Sequence, residues 1–276
     1  MLPIIIALAL AGWPPPAPQP LSIVKAALHQ YEDGPPMAAG AAFHTGETVF
    51  LTFRVQGYQR TADAKIHLVC KIEALDPDGV PFAEPATREV QATLTAEDKD
   101  WLPIVRQSFL IPPLALSGSY RLAITVEDKV GSREAKTEVQ FPVRGREVAP
   151  SDTITARNFR FLRSEEDTRP LVPAVYRPGD AVWVRFDITG YKFGERNRIR
   201  VSYGVSVIGP EGNTMYSQPA AAVEEGESYY PKKYLPSMFS LNLDDQVQPG
   251  AYVIVLELND EVGGQTAESR HEFRVE

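Results

Sequence analysis

The phrase GSYRLAITVED at residues 118–128 returns as GAYVIVLELND at residues 250–260. A unit written twice constrains a chain more than any single motif, because the fold of one copy must serve for the other. The match extends in both directions. Residues 43–59 (FHTGETVFLTFRVQGYQ) lie over 176–192 (YRPGDAVWVRFDITGYK), with Gly57 opposite Gly190, 133 positions apart. Gly79 stands opposite Gly212 at the same spacing, Trp101-Leu102-Pro103 opposite Tyr234-Leu235-Pro236, and Tyr120 opposite Tyr252 at a spacing of 132. Phe141 and Val143 align with Phe273 and Val275, and residues 23–33 lie over 156–166. The chain therefore divides into copies at 21–144 and 153–276. Residues 145–152, polar and carrying Pro150, form the expected linker.

Within each copy the apolar residues recur every second position. Val49, Leu51, Phe53 and Val55 share one face, against Thr52 and Arg54 on the other; Val182, Val184, Phe186 and Ile188 repeat the pattern against Arg185 and Asp187. Ile66, Leu68, Cys70 and Ile72 oppose Lys65, His67, Lys71 and Glu73, and their copies run from Ile199 to Val207. Alternation of this kind belongs to antiparallel sheets with one dry and one wet face. Turn signals at Asp76-Pro77-Asp78-Gly79 and Gly209-Pro210-Glu211-Gly212 separate the runs, and no amphipathic helix is visible. About seven short strands in each copy predict an all-β chain of two tandem antiparallel β-sandwiches.

The Gly-x-Tyr-x-Leu phrase ahead of a final strand resembles the penultimate strand of bacterial immunoglobulin-like and fibronectin type III-like domains. Tyr120 and Tyr252 stand where such folds place a packing tyrosine. Residues 175–186, in which a Pro-Gly turn launches a strand, resemble the early strand of macroglobulin-like domains; the first copy reads FHTGETVFLTF there, without the proline. The resemblance implies the sandwich fold and no particular activity, since the fold hosts many.

Of the 276 residues, 43% are hydrophobic, enough for two real cores, and the net charge is −8. A chain so acidic, with no basic patch, excludes nucleic acid as the expected partner. Residues 2–11 form an apolar run too short to span a bilayer, ending in the small residues Ala9 and Ala11, and a proline-rich stretch from Pro14 to Pro20 follows. The segment 1–20 is therefore expected to be a signal peptide and spacer, which places the protein in the periplasm, at the cell surface or outside the cell. The lone cysteine, Cys70, falls on a core-facing strand position and is expected to be a buried thiol.

No constellation of catalytic residues appears. His29, His44, His67 and His271 have no ligand partners at short spacing, and no hydrolase or metal motif is present. The acidic runs at 96–100, 165–168 and 243–246 read as solvated turns, without the spaced carboxylates of a calcium loop. Asp128 and Asp260 precede turns and are expected to cap them. No cofactor and no metal are expected.

The one unusual segment is 226–239 (GESYYPKKYLPSMF), with 97–109 as its counterpart. Tyr229, Tyr230 and Tyr234 lie beside Lys232 and Lys233, and Trp101 holds the place of Tyr234. Aromatics on a loop give large contact area at small entropic cost, so these six residues form the expected binding surface; core packing is the structural alternative. If the linker is stiff, both loops could act as one bivalent surface. A weaker candidate is the outer face at Val253 and Val255. The leading expectation is a non-catalytic exported binding or scaffold protein of the bacterial envelope that recognises a protein partner. A carbohydrate-binding or enzyme-accessory module is the alternative, with a surface glycan as ligand, and a hydrolase with a site between the copies comes third.

Overall fold

The computed structural model describes residues 19–38, 40–98 and 100–276. The signal and spacer expectation for residues 1–20 thus falls almost wholly outside the described residues. Among them no helix is long and apolar enough to cross a membrane.

Among the described residues sixteen strands form, eight from each copy. The first eight are β1 (Ser22–His29), β2 (Phe43–His44), β3 (Thr48–Gln56), β4 (Lys65–Leu75), β5 (Ala86–Thr93), β6 (Ile104–Leu110), β7 (Gly118–Asp128) and β8 (Arg133–Arg144). The second eight are β9 (Thr155–Leu162), β10 (Val175–Tyr176), β11 (Ala181–Thr189), β12 (Ile199–Ile208), β13 (Thr214–Gly226), β14 (Tyr234–Asn242), β15 (Gly250–Asp260) and β16 (Gln265–Val275). Each set makes two sheets in the same order: β1-β3-β6 facing β2-β8-β7-β4-β5, then β9-β11-β14 facing β10-β16-β15-β12-β13. The fold is two β-sandwiches related by the internal repeat.

The period-two pattern decides which faces meet. Leu68, Cys70, Ile72, Leu122 and Val126 are fully buried between the first two sheets, and Val182, Val184, Ile254 and Leu256 between the second two. Phe53 and Phe186 sit at matching places in the two cores. Tyr120 and Tyr252, on the penultimate strands, are buried with their hydroxyls donated to Leu116 O at 2.9 Å and Gln248 O at 2.7 Å. A penultimate-strand tyrosine bonded to the backbone four residues upstream locks the corner of a sandwich in this manner.

Two details differ from the expected antiparallel pattern. The two-residue strands β2 and β10 pair in parallel with β8 and β16, adding a short edge to each larger sheet. A strand that short carries no readable period. The outer-face candidate Val255 is buried, at 5% exposure, beside Ser206 of β12 and Arg270 of β16, while Val253 on the same face is half-buried.

The segment between the sandwiches is tied to both. Arg146 bridges to Leu116 on the first side, and its guanidinium lies 2.9 Å from the buried carboxylate of Asp187 on the second. Asn158 donates to Glu147 O at 3.1 Å and to Asp187 at 2.8 Å.

Candidate functional site

The segment 226–239 is partly loop and partly strand. β14 begins at Tyr234, and Tyr234 and Pro236 pair with Thr189 and Asp187 of β11. Proline is tolerated there because β14 is an edge strand. The loop that remains, residues 227–233, is held from beneath. Tyr191 donates its hydroxyl to Lys232 O, Thr189 donates to Lys233 O at 3.1 Å, and Asn197 donates to Ser228 O and Tyr229 O at 3.1 and 2.7 Å.

Thus braced, the loop reaches across to the first sandwich. Tyr230 is buried and packs with that sandwich's core, against Tyr120. Its hydroxyl donates to Asp76 Oδ2 at 2.9 Å. Lys233 Nζ meets the same oxygen at 2.8 Å and Asp78 Oδ2 at 2.5 Å, and lies 6.0 Å from the Tyr230 ring centre. The other carboxylate oxygen of Asp76 caps its own turn, accepting the N–H groups of Asp78 and Val80 at 2.9 and 2.8 Å. Every lone-pair direction of a fully buried acid is therefore served, as burial of a charge demands. Burial by itself would raise the pKa of Asp76. The hydrogen bonds from Lys233, the Val80 N–H and Tyr230 outweigh it and hold the carboxyl below its ordinary value. Burial pushes the Tyr230 phenol far up, with the neighbouring Tyr120 and Asp76 adding to the effect.

This placement corrects the expected binding surface. Tyr230 and Tyr234 are buried, and Lys233 is committed to two carboxylates between the sandwiches, so none of the three faces a partner. Lys232 is drawn to Glu224 at 2.6 Å. Tyr229 alone of the loop aromatics stays well exposed, at 51%. The two loops also do not form one surface. β4 has 11 residues and runs from the end beside the 97–109 segment to the end that carries Asp76, so at about 3.4 Å per residue the ends lie some 35 Å apart.

Sequence reasoning missed Asp76. A signal was present in the differences between the copies. Asp76 stands opposite Gly209, while Tyr230 and Lys233 stand opposite Glu97 and Asp100. An acid peculiar to one copy and an aromatic–cation pair peculiar to the other are what a contact between copies needs.

The opposite end of the first sandwich carries Trp101. Its carbonyl accepts the Tyr58 hydroxyl at 2.7 Å, as Lys232 O accepts that of the equivalent Tyr191. Among the described residues nothing covers the ring as Tyr234 is covered: Trp101 is 37% exposed, Tyr234 only 3%. Beside it opens a cavity of about 430 Å³ lined by Gln19, Tyr58, Arg60, Asp100, Trp101 and Arg133. Arg133 is fixed by Gly57 O at 2.7 Å and Asp128 at 3.1 Å. The cavity offers an aromatic ring, a cation and hydrogen-bonding side chains in one open recess.

No protein-family model matches the chain, and a search of curated proteins found no match. Among solved structures, the C-terminal domain of the AgI/II polypeptide BspA of Streptococcus agalactiae is 9% identical, covers 93% of this chain and 99% of that one, and gives a TM-score of 0.33. A family 123 glycoside hydrolase from Clostridium perfringens, described as hydrolysing a glycolipid glycan, is 12% identical over 45% of this chain and 27% of its own, with a TM-score of 0.30.

Proposed function

We propose that this is a non-catalytic binding or scaffold protein of the bacterial cell envelope, made of two immunoglobulin-like sandwiches locked end to end, and that it recognises a protein partner through the Trp101 end. The observation that carries the reading is the fate of the two equivalent loops. In the second sandwich the loop is used to seat one sandwich on the other. In the first, the same end is left with its aromatic ring open beside a 430 Å³ recess. Export, to the periplasm, cell surface or beyond, is part of the proposal and rests on the apolar run at residues 2–11.

The recess works as an anchor site. A partner side chain laid on the Trp101 indole loses water over a wide area, while Arg60, Asp100 and Arg133 set its orientation. Truncating a central aromatic anchor typically costs 2 kcal/mol or more, roughly thirtyfold in affinity. The test is capture from an envelope extract with wild type and Trp101→Ala side by side, using Tyr229→Ala as a surface control. One protein retained by wild type and by Tyr229→Ala, and lost with Trp101→Ala, supports the reading. Equal retention by all three overturns it. The mixed lining of the recess, aromatic beside polar, also suits a saccharide. Binding of an isolated glycan that vanishes with Trp101→Ala would favour that second reading over a protein partner.

A further inference from the structure

The turn that receives the loop has a counterpart at the far end of the molecule. In the first sandwich Asp76 N–H bonds Val80 O at 2.9 Å and Gly79 N–H bonds Asp76 O at 3.0 Å; in the second, Gly209 N–H bonds Asn213 O and Gly212 N–H bonds Gly209 O, both at 2.9 Å. Pro210 lies over Gly250 as Pro77 lies over Gly118. Tyr252 makes the upstream hydrogen bond that Tyr120 makes. The two ends differ in what fills them. Tyr230 and Lys233 occupy the first. At the second a cavity of about 370 Å³ is open, bounded by Pro210, Glu211, Met215, Asp244, Val247 and Tyr252, and Met215 is 58% exposed.

We infer that this end is a second docking socket, which takes an aromatic side chain flanked by a basic one from a loop of a partner protein. The first socket supplies the template, since its occupant has that chemistry. The walls are suited to a ring, with Pro210, Met215, Val247 and the Tyr252 edge around it. Glu211 keeps the position of Asp78, the acid that pairs with Lys233 at the rim, and Asp244 adds a second negative charge. A second copy of this chain does not fit. The residues of its free end equivalent to Tyr230 and Lys233 are Glu97 and Asp100, which would meet Glu211 and Asp244 with like charge. Gly209 in place of Asp76 removes the buried acid, so this socket makes a weaker contact than the first. It lies at the opposite end from Trp101 and stands or falls independently of that site.

The full chain, labelled for amide NMR, can be titrated with a peptide of the sequence Ser-Tyr-Tyr-Pro-Lys-Lys-Tyr, the occupant of the first socket (residues 228–234 of this chain). Saturable shifts at Glu211, Met215 and Val247 are expected. Glu211→Lys should weaken binding roughly three- to tenfold, as loss and reversal of one rim charge implies. Gly209→Asp should strengthen it by a similar factor; Asp76 on the same main-chain turn shows that this backbone accepts an aspartate, and the exposed Met215, whose Cγ lies 2.9 Å from the added Cβ, must swing aside. A peptide with both lysines changed to glutamate and the tyrosines to alanine should not bind. The inference is overturned if shifts are absent at millimolar peptide, are confined to the Asp76 turn, or ignore Glu211→Lys. It is equally overturned if sedimentation shows the chain associating with itself in a manner that Glu211→Lys abolishes, which would make a second copy the occupant.

Discussion

Three of the four buried aspartates among the described residues, Asp128, Asp260 and Asp76, are each held by a full set of hydrogen bonds. Asp128 accepts Val130 and Gly131 N–H on one oxygen and Gln59 N–H and the Arg133 guanidinium on the other. Asp260 repeats this with Val262, Gly263, Lys192 and Gln265. Each thereby ties the turn after a penultimate strand to the segment after β3 or β11. Asp128→Ala or Asp260→Ala would leave three backbone donors without their acceptor, at a cost of about 1–3 kcal/mol, checked by urea unfolding. Asn substitutions, which keep one acceptor oxygen, should cost clearly less. The capping role was legible in the sequence, since an aspartate ahead of a turn has a local partner two or three residues on. The long-range partners, 68 and 69 residues away, were not. Asp76 adds a pH dependence. Its folded pKa lies below the ordinary value, so its stabilisation is complete above the unfolded carboxyl pKa and is lost as pH falls through the folded one. The contact between the sandwiches should therefore hold at neutral pH and loosen only in acid, below about pH 4. Asp76→Asn should remove that acid-dependent step from small-angle scattering profiles recorded against pH.

At the scale of elements, the repeat extends to irregularities that no periodicity announces. β1 bulges between Val24 and Ala27, with Lys25 at φ 53°, and β9 bulges at the equivalent Asn158, with φ 52°. The glycine that ends β3 or β11 is required in both copies. Gly57 has φ 73° and Gly190 φ 81°, and a Cβ on either would sit 2.2 Å from Pro20 O or 2.0 Å from Thr153 O. Left-handed backbone and a collision with main chain both oppose a side chain there. Gly57→Ala and Gly190→Ala should each destabilise their own sandwich by about 2 kcal/mol or more, visible as earlier thermal unfolding. The pairing of these glycines in the alignment was the clue to them. Sheet membership followed from alternating faces, because burial on one side writes itself into every second residue. The parallel edges and the burial of Val255 did not, since a two-residue strand carries no period and Val255 lies on the face that the alternation assigns to solvent.

At the scale of the whole molecule, the chain behaves as one arm with two unlike ends. The aromatic loop looked like a binding surface in the sequence because burial between copies and exposure to a partner favour the same residues: tyrosine for area, lysine for an acid. Only the placement of Asp76 under it decides between them. The central claim is that the loop at 227–233 holds the two sandwiches in one arrangement. The most direct test is the distance distribution between nitroxide labels at Glu134→Cys and Glu272→Cys, both exposed strand positions; the native Cys70 is fully buried and out of reach of the label. A single narrow distribution is expected for the native loop, broadening when Tyr230→Ala and Lys233→Ala are introduced together. A broad distribution in the unmodified loop, or one that the double substitution leaves unchanged, would contradict the account.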